Sequence, residues 1–155
     1  MRPNENFGLK RANIDLGDRV VSVRQTWSRC GEASVKNRRS RREVTMTERA
    51  YRALREQFAE TELRFMWLWP VSMTHPAPHN PQNFSRRYWK AILERAGVPH
   101  REFYQCRHTF ATNRLAEGFE LQWIADQMGH KDLRMLIEHY LKWKLGNVDK
   151  IRKAF

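Results

Sequence analysis

One hundred and fifty-five residues suit a single domain. Lys and Arg number 29 against 17 Asp and Glu, a formal charge of +12, while 41% hydrophobic residues with six Trp, eight Phe and four Tyr supply a core and exclude a disordered basic tail. The longest apolar run, 65–69, is too short to span a membrane; the N-terminus lacks the apolar stretch of a signal peptide; and two cysteines make no disulfide framework, which leaves a cytosolic basic domain whose partner is a polyanion, nucleic acid first.

The chain opens with a short helical piece reaching about Lys10, and 14–18 reads as a turn. Val20, Val21 and Val23 predict a strand over 19–25, and 42–46 is its partner. Between them the polar stretch 27–41 is a hairpin loop or a short third strand, and the densest positive charge, Lys36, Arg38, Arg39 and Arg41 with Arg42 at the start of the second strand, gathers at its end. Thr47 caps a helix over 48–59, with Tyr51, Leu54 and Phe58 at helical spacing. After an irregular stretch, 70–80, Asn80-Pro81 is an N-cap followed by proline at the first helical position, and that helix runs through Phe84, Tyr88, Ala91, Ile92 and Arg95 to Gly97. Two more helices, 103–116 with Phe110, Ala111 and Leu115 inward and 121–128, stop at Gly118 and Gly129. Asp132 caps another, carrying Leu133, Leu136, Ile137 and Tyr140, and the tail repeats apolar residues at Leu141, Leu145, Val148, Ile151 and Phe155. The fold class is α+β, mainly α-helical, with one small antiparallel β-sheet near the N-terminus.

Three residue types in the second half suit phosphoryl transfer. Tyr104 and Arg107 share a helix face, His130 follows a glycine stop, and Tyr140 lies on the next helix. An arginine fork clamps two phosphate oxygens, an imidazole donates to a third, and a phenol can attack phosphorus if cations surround it. Taken singly, a helical Tyr is packing and a helical Arg is a solvated face. His75, His79 and His100 with Cys30 or Cys106 raise the question of zinc, but Pro76 and Pro78 break the spacing and there is no paired-cysteine motif, which argues against a metal.

Tyr104-Gln105-Cys106-Arg107-His108-Thr109-Phe110-Ala111-Thr112, Ile124-Ala125-Asp126-Gln127-Met128-Gly129-His130 and His139-Tyr140-Leu141-Lys142-Trp143 together resemble the catalytic region of the tyrosine recombinases, in particular the phage-type integrases. Arg2-Pro3-Asn4-Glu5, with Leu9-Lys10 and Ile14-Asp15-Leu16, looks like the family's first arginine box. Lys36, with Ser40-Arg41-Arg42-Glu43-Val44 behind it, looks like its β-hairpin lysine and the following strand. The likeness runs from Arg2 to Trp143.

The resemblance implies a tyrosine recombinase catalytic-domain fold over 1–143 and a tail, 144–155, that packs either on a neighbouring protomer or back on its own domain. It implies DNA integration or excision by strand breakage and rejoining. Tyr140 would be the nucleophile, giving a 3′-phosphotyrosyl link. Arg2 and Arg107 would hold the non-bridging oxygens, Lys36 would protonate the leaving 5′-oxygen, and His130 would hydrogen-bond the phosphate. Tyr104 stands where many members have a proton-transferring His; its other reading is a core or supporting residue. His108 reads as structural. Lys36 can equally be a general phosphate contact, alongside Arg38, Arg39, Arg41 and Arg42 on the flanking backbone. Neither ATP nor a metal cofactor is implied. Double-stranded DNA is the partner, bound by a tetramer with accessory DNA-bending proteins, in a cytoplasmic, nucleoid-associated setting of bacterial or phage origin. The family's first helix and its DNA-clamping domain would precede Arg2. Without them an apolar face is expected to lie open near Phe7 and Leu9, and the alternative function is a truncated remnant that binds DNA without strand exchange.

Overall fold

The computed structural model describes residues 1–35, 41–61, 65–72, 74–130, 132–134 and 136–138. Helix α1 (Pro3–Phe7) opens with proline, whose missing N–H is one that a first turn leaves unpaired in any case. Glu5 folds back so that its Oε2 accepts the backbone N–H of Arg2 at 2.7 Å, satisfying the donor at the helix start.

A single 3₁₀ turn, Arg11–Asn13, then leads into five short strands: β1 (Ile14–Asp15), β2 (Val20–Val23), β3 (Gln25–Ser28), β4 (Gly31–Ser34) and β5 (Arg42–Thr45). Strands β1, β2 and β5 form one antiparallel sheet, with Val21 opposite both Ile14 and Val44. The expected turn at 14–18 is therefore half strand, and Asp15 Oδ1 takes the N–H of Asp18 at 2.9 Å to turn the chain. The polar stretch after β2 differs more. It begins with a second, separate sheet, the β3–β4 hairpin, with Gln25 opposite Ser34. Its anchor is distant in sequence: Trp27 packs edge-on against Trp67 at 5.1 Å, and Lys10 Nζ lies 4.7 Å from the same Trp67 ring. Helix α1 leaves at Gly8 so close to β3 that a Cβ there would stand 2.8 Å from the carbonyl carbon of Thr26, an approach only glycine permits.

Thr47 caps α2 (Glu48–Glu60), its Oγ1 accepting the N–H of Ala50 at 3.2 Å. Asn80 Oδ1 accepts from Gln82 and opens α3 (Pro81–Phe84), which continues through a π-turn, Ser85–Trp89, into α4 (Lys90–Arg95). Helices α5 (Gln105–Ala116) and α6 (Leu121–Met128) follow. The cap expected at Asp132 is present, with Oδ1 3.0 Å from the N–H of Arg134.

Two apolar clusters hold these elements. Leu9, Val21, Met46, Leu54 and Leu68 join the larger sheet to α2. Ala111, Ile124, Ala125, Met128 and Leu136 pack α5 on α6. Leu68 and Ile124 are fully buried, and each such side chain contributes roughly 1.5–3 kcal/mol on leaving water. Phe7 and Leu9 do not form the open face expected of them, because both are buried. Phe7 stacks among Phe84 (5.1 Å), Phe103 (6.0 Å) and His79 (6.4 Å), and Leu9 lies in the first cluster. The apolar opening is a groove of about 350 Å³ beside them, lined by Leu9, Met46, Leu54, Trp69 and Phe110, and also by Arg2 and Arg107. Among the described residues no helix is long and apolar enough to cross a membrane.

Candidate active site

A helix end leaves its last carbonyls without partners and bears partial negative charge, so it attracts cations. At the end of α6 three arginines from three separate elements take three successive carbonyls. Arg42 Nε donates to Gln127 O at 2.9 Å, Arg107 Nη2 to Met128 O at 2.6 Å, and Arg2 Nη2 to Gly129 O at 3.3 Å. Gly129 turns the chain there with φ of +66°, and a Cβ on it would lie 2.9 Å from Nη1 of Arg42. The next residue is His130, delivered to the same place by that turn.

Glu5 supplies negative charge within this group. It is 1% exposed, and its Oε1 accepts from Nη1 of Arg2 at 2.8 Å while its Oε2 accepts from Nη2 of Arg42 at 2.9 Å. Burial alone would raise its pKa. The hydrogen bond and charge of Arg42, followed by the hydrogen bonds of Arg2, overcome that and hold it at about 2.

Arg107 is 3% exposed, and its Nε and Nη1 find no hydrogen-bond partner among the described residues. Burial, then the charge of Arg2, lowers its pKa to about 10, which still leaves it cationic at neutral pH. His130 Nδ1 is likewise buried and unpartnered among the described residues. Burial, then the charges of Arg107 and Arg2, brings its imidazole to about 4, so it is neutral at pH 7. Three guanidiniums around one carboxylate make a positive surplus, with buried N–H groups whose desolvation is uncompensated. An anion with several oxygens answers both demands.

The structure thus brings Arg2, Arg107 and His130 together. Tyr104 stands at the start of α5, 43% exposed, with its ring edge-on to His108 at 5.4 Å, so it is not a core residue. Arg41 is exposed. Arg42 faces inward instead of toward solvent: its side chain is 8% exposed and holds Glu5 and the end of α6. Tyr140, Lys36, Arg38 and Arg39, and the tail 144–155, lie outside the described residues. His79 sits within an aromatic cluster with Phe7, Phe84 and Tyr88.

Sequence spacing does not single out two further residues of the site. Glu5 has a visible signal all the same, an acid three residues after Arg2 at a helix start. Gln127 has none; its Oε1 takes the N–H of Thr45 at 2.8 Å, satisfying the edge of β5 and docking α6 on the sheet.

Residues 1–144 match the model of the phage integrase family. The prophage integrase IntR of Escherichia coli strain K12 is 28% identical over 92% of this chain and 40% of its own length. A tyrosine recombinase XerC-like protein of Caldanaerobacter subterraneus subsp. tengcongensis is 38% identical over 43% of this chain and 18% of its own. Among solved structures, the Tn1549 transposon integrase in complex with circular intermediate DNA superimposes with a TM-score of 0.76 at 19% identity, over 90% of this chain and 50% of that one. The chain spans less than half the length of these curated relatives. The α+β architecture expected from the motifs is that of the solved integrase, and with the family model running through nearly all of its residues this chain belongs to the phage integrase family.

Proposed function

We propose that this chain carries the catalytic centre of a site-specific DNA recombinase acting on double-stranded DNA. The observation that carries this reading is Arg107, buried beside Arg2 and a neutral His130, with two N–H donors that find no partner among the described residues. A phosphodiester turning pentacoordinate gains negative charge on its non-bridging oxygens, and preorganised donors of this kind stabilise it. Tyr140 Oη gives up its proton to solvent and attacks phosphorus, the bond from phosphorus to the 5′-oxygen breaks, and Lys36 protonates that leaving oxygen, which departs as the 5′-hydroxyl. Arg2 and Arg107 hold the non-bridging oxygens, and His130 hydrogen-bonds one of them. The broken bond's energy is kept in the 3′-phosphotyrosine, so rejoining is the same reaction reversed with a new 5′-hydroxyl and calls for no ATP.

Arg38, Arg39 and Arg41 hold the flanking backbone, whereas Arg42, turned inward, positions Glu5 and α6. Assembly of four copies on two duplexes, with accessory bending proteins, is part of the same reading. The partner is supported by the Tn1549 integrase, whose similar fold is seen in complex with circular intermediate DNA.

A nicked duplex that traps the covalent step tests it. The wild-type chain is expected to give a protein–DNA adduct that Tyr140→Phe does not give. A gel shift without adduct in the wild type would make this chain a DNA-binding module instead.

A further inference from the structure

Away from the arginine cluster, the turn of the β3–β4 hairpin meets the start of the α3 helical run. Between them is a hollow of about 630 Å³ lined by Arg29, Asn80, Gln82, Asn83, Ser85 and Arg86. All six side chains are polar, two are cationic and none is acidic. Arg29 comes from the turn after β3, and Arg86 from the first part of the π-turn. Neither forms an ion pair among the described residues, whereas Arg19, Arg52 and Arg114 on other surfaces each hold a carboxylate. Asn80 has its Oδ1 turned to the N–H groups of Gln82 and Asn83, which leaves its amide N–H₂ as a donor. The hollow is therefore a set of donors carried by two elements far apart in sequence.

Two facts fix this arrangement in place. The hairpin is held to the body by Trp27 on Trp67 and by the close approach of Gly8 to Thr26. The helical run is held by Phe84 on Phe7 and by Trp89, whose Nε1 donates to Arg101 O at 2.6 Å. The π-turn adds a residue to the helix between those two anchors, a local irregularity that in helices often accompanies function.

We propose that this hollow seats phosphate of the DNA backbone, as a binding surface sharing no residue with the Arg2–Arg107–His130 centre. The proposal rests on the recombinase reading for its partner and adds where a second stretch of backbone is held. Two guanidiniums from two different elements, with amide and hydroxyl groups in the same lining, match anionic phosphate oxygens and carry no sequence information.

The test is binding of the whole chain to a duplex of arbitrary sequence, followed by fluorescence anisotropy across a salt series. Replacing Arg29→Ala with Arg86→Ala should lower the slope of log affinity against log salt by about two units, roughly one for each phosphate no longer neutralised. Arg49→Ala with Arg55→Ala, an equal removal of charge on the exposed face of α2, should leave the slope close to that of wild type. Asn83→Asp is the variant that separates folding from binding. An acid in the first turn of a helix favours the helix, so the melting temperature should hold or rise while DNA affinity falls several-fold. An unchanged slope in the Arg29/Arg86 variant, an equal drop in the α2 control, or unaltered affinity in Asn83→Asp overturns the proposal while leaving the recombinase reading intact. No duplex binding by wild type overturns both.

Discussion

Glu5 and Arg42, set in α1 and β5, form a buried ion pair of 2.9 Å with side chains 1% and 8% exposed. Such a pair gains little over an apolar one of equal shape, but removing one partner strands the other charge, at a cost of about 3–5 kcal/mol. Here the stranded charges would be the arginines that hold α6. Glu5→Ala is therefore expected to lower the unfolding free energy by about 3 kcal/mol, measured by urea denaturation. It should also weaken adduct formation by more than the unfolded fraction explains.

Acid should destabilise the protein in two stages. His130 has a folded pKa of about 4, below its ordinary 6.5. The unfolded chain thus takes the proton first, and stability falls as pH drops from 6.5 to 4. Glu5 is held near 2 against an ordinary 4.5. Its contribution is complete above pH 4.5 and is lost between 4.5 and 2. Calorimetric melting temperatures between about pH 7 and pH 5 should decline in wild type and decline less in His130→Gln, while the lower stage persists in both.

Arg107→Lys keeps the charge and loses the fork. The Nη2 bond to Met128 O and the two donors without a partner among the described residues cannot all be reproduced by one ammonium. The rate of adduct formation on the nicked duplex should fall about a hundredfold or more. Duplex affinity should change much less, because exposed basic residues remain.

Gly129→Ala meets two penalties. The left-handed conformation costs a residue with a Cβ roughly 1–2 kcal/mol, and that Cβ would press on the Arg42 guanidinium. Unfolding should be easier by at least this amount. A double variant, Gly129→Ala with Arg42→Ala, should show non-additivity, since the second change removes the atom that the first one strikes.

Much of this site is legible as spacing. Arg107 and His130 are local to helix signals, and the glycine stop before His130 is written in the chain. What spacing cannot convey is direction. Arg42 ends a basic run and reads as one more phosphate contact, yet the carbonyl of Gln127 and the carboxylate of Glu5, both remote in sequence, draw it inward. Tyr104 reads equally as core or surface, because one aromatic at a helix start has no periodicity to decide it. The β3–β4 hairpin merges with its surroundings in the sequence because its strands are polar and its anchor Trp67 lies far along the chain from Trp27. Phe7 and Leu9 read as open because the resemblance has a preceding helix cover that face; instead Phe84 and Phe103 cover the one and the α2 cluster the other, all from later in the chain.

The two arginines of the phosphate clamp belong to elements packed by different apolar clusters. Arg2 leads into the sheet-and-α2 body, and Arg107 grows from the α5–α6 body, and the polar bridge through Glu5, Arg42 and Gln127 crosses between them. Loosening of that bridge is expected to part the two arginines before either apolar cluster unfolds. Amide hydrogen exchange would register this as a sub-global opening at Thr45, whose N–H rests on Gln127, ahead of the amides inside α5.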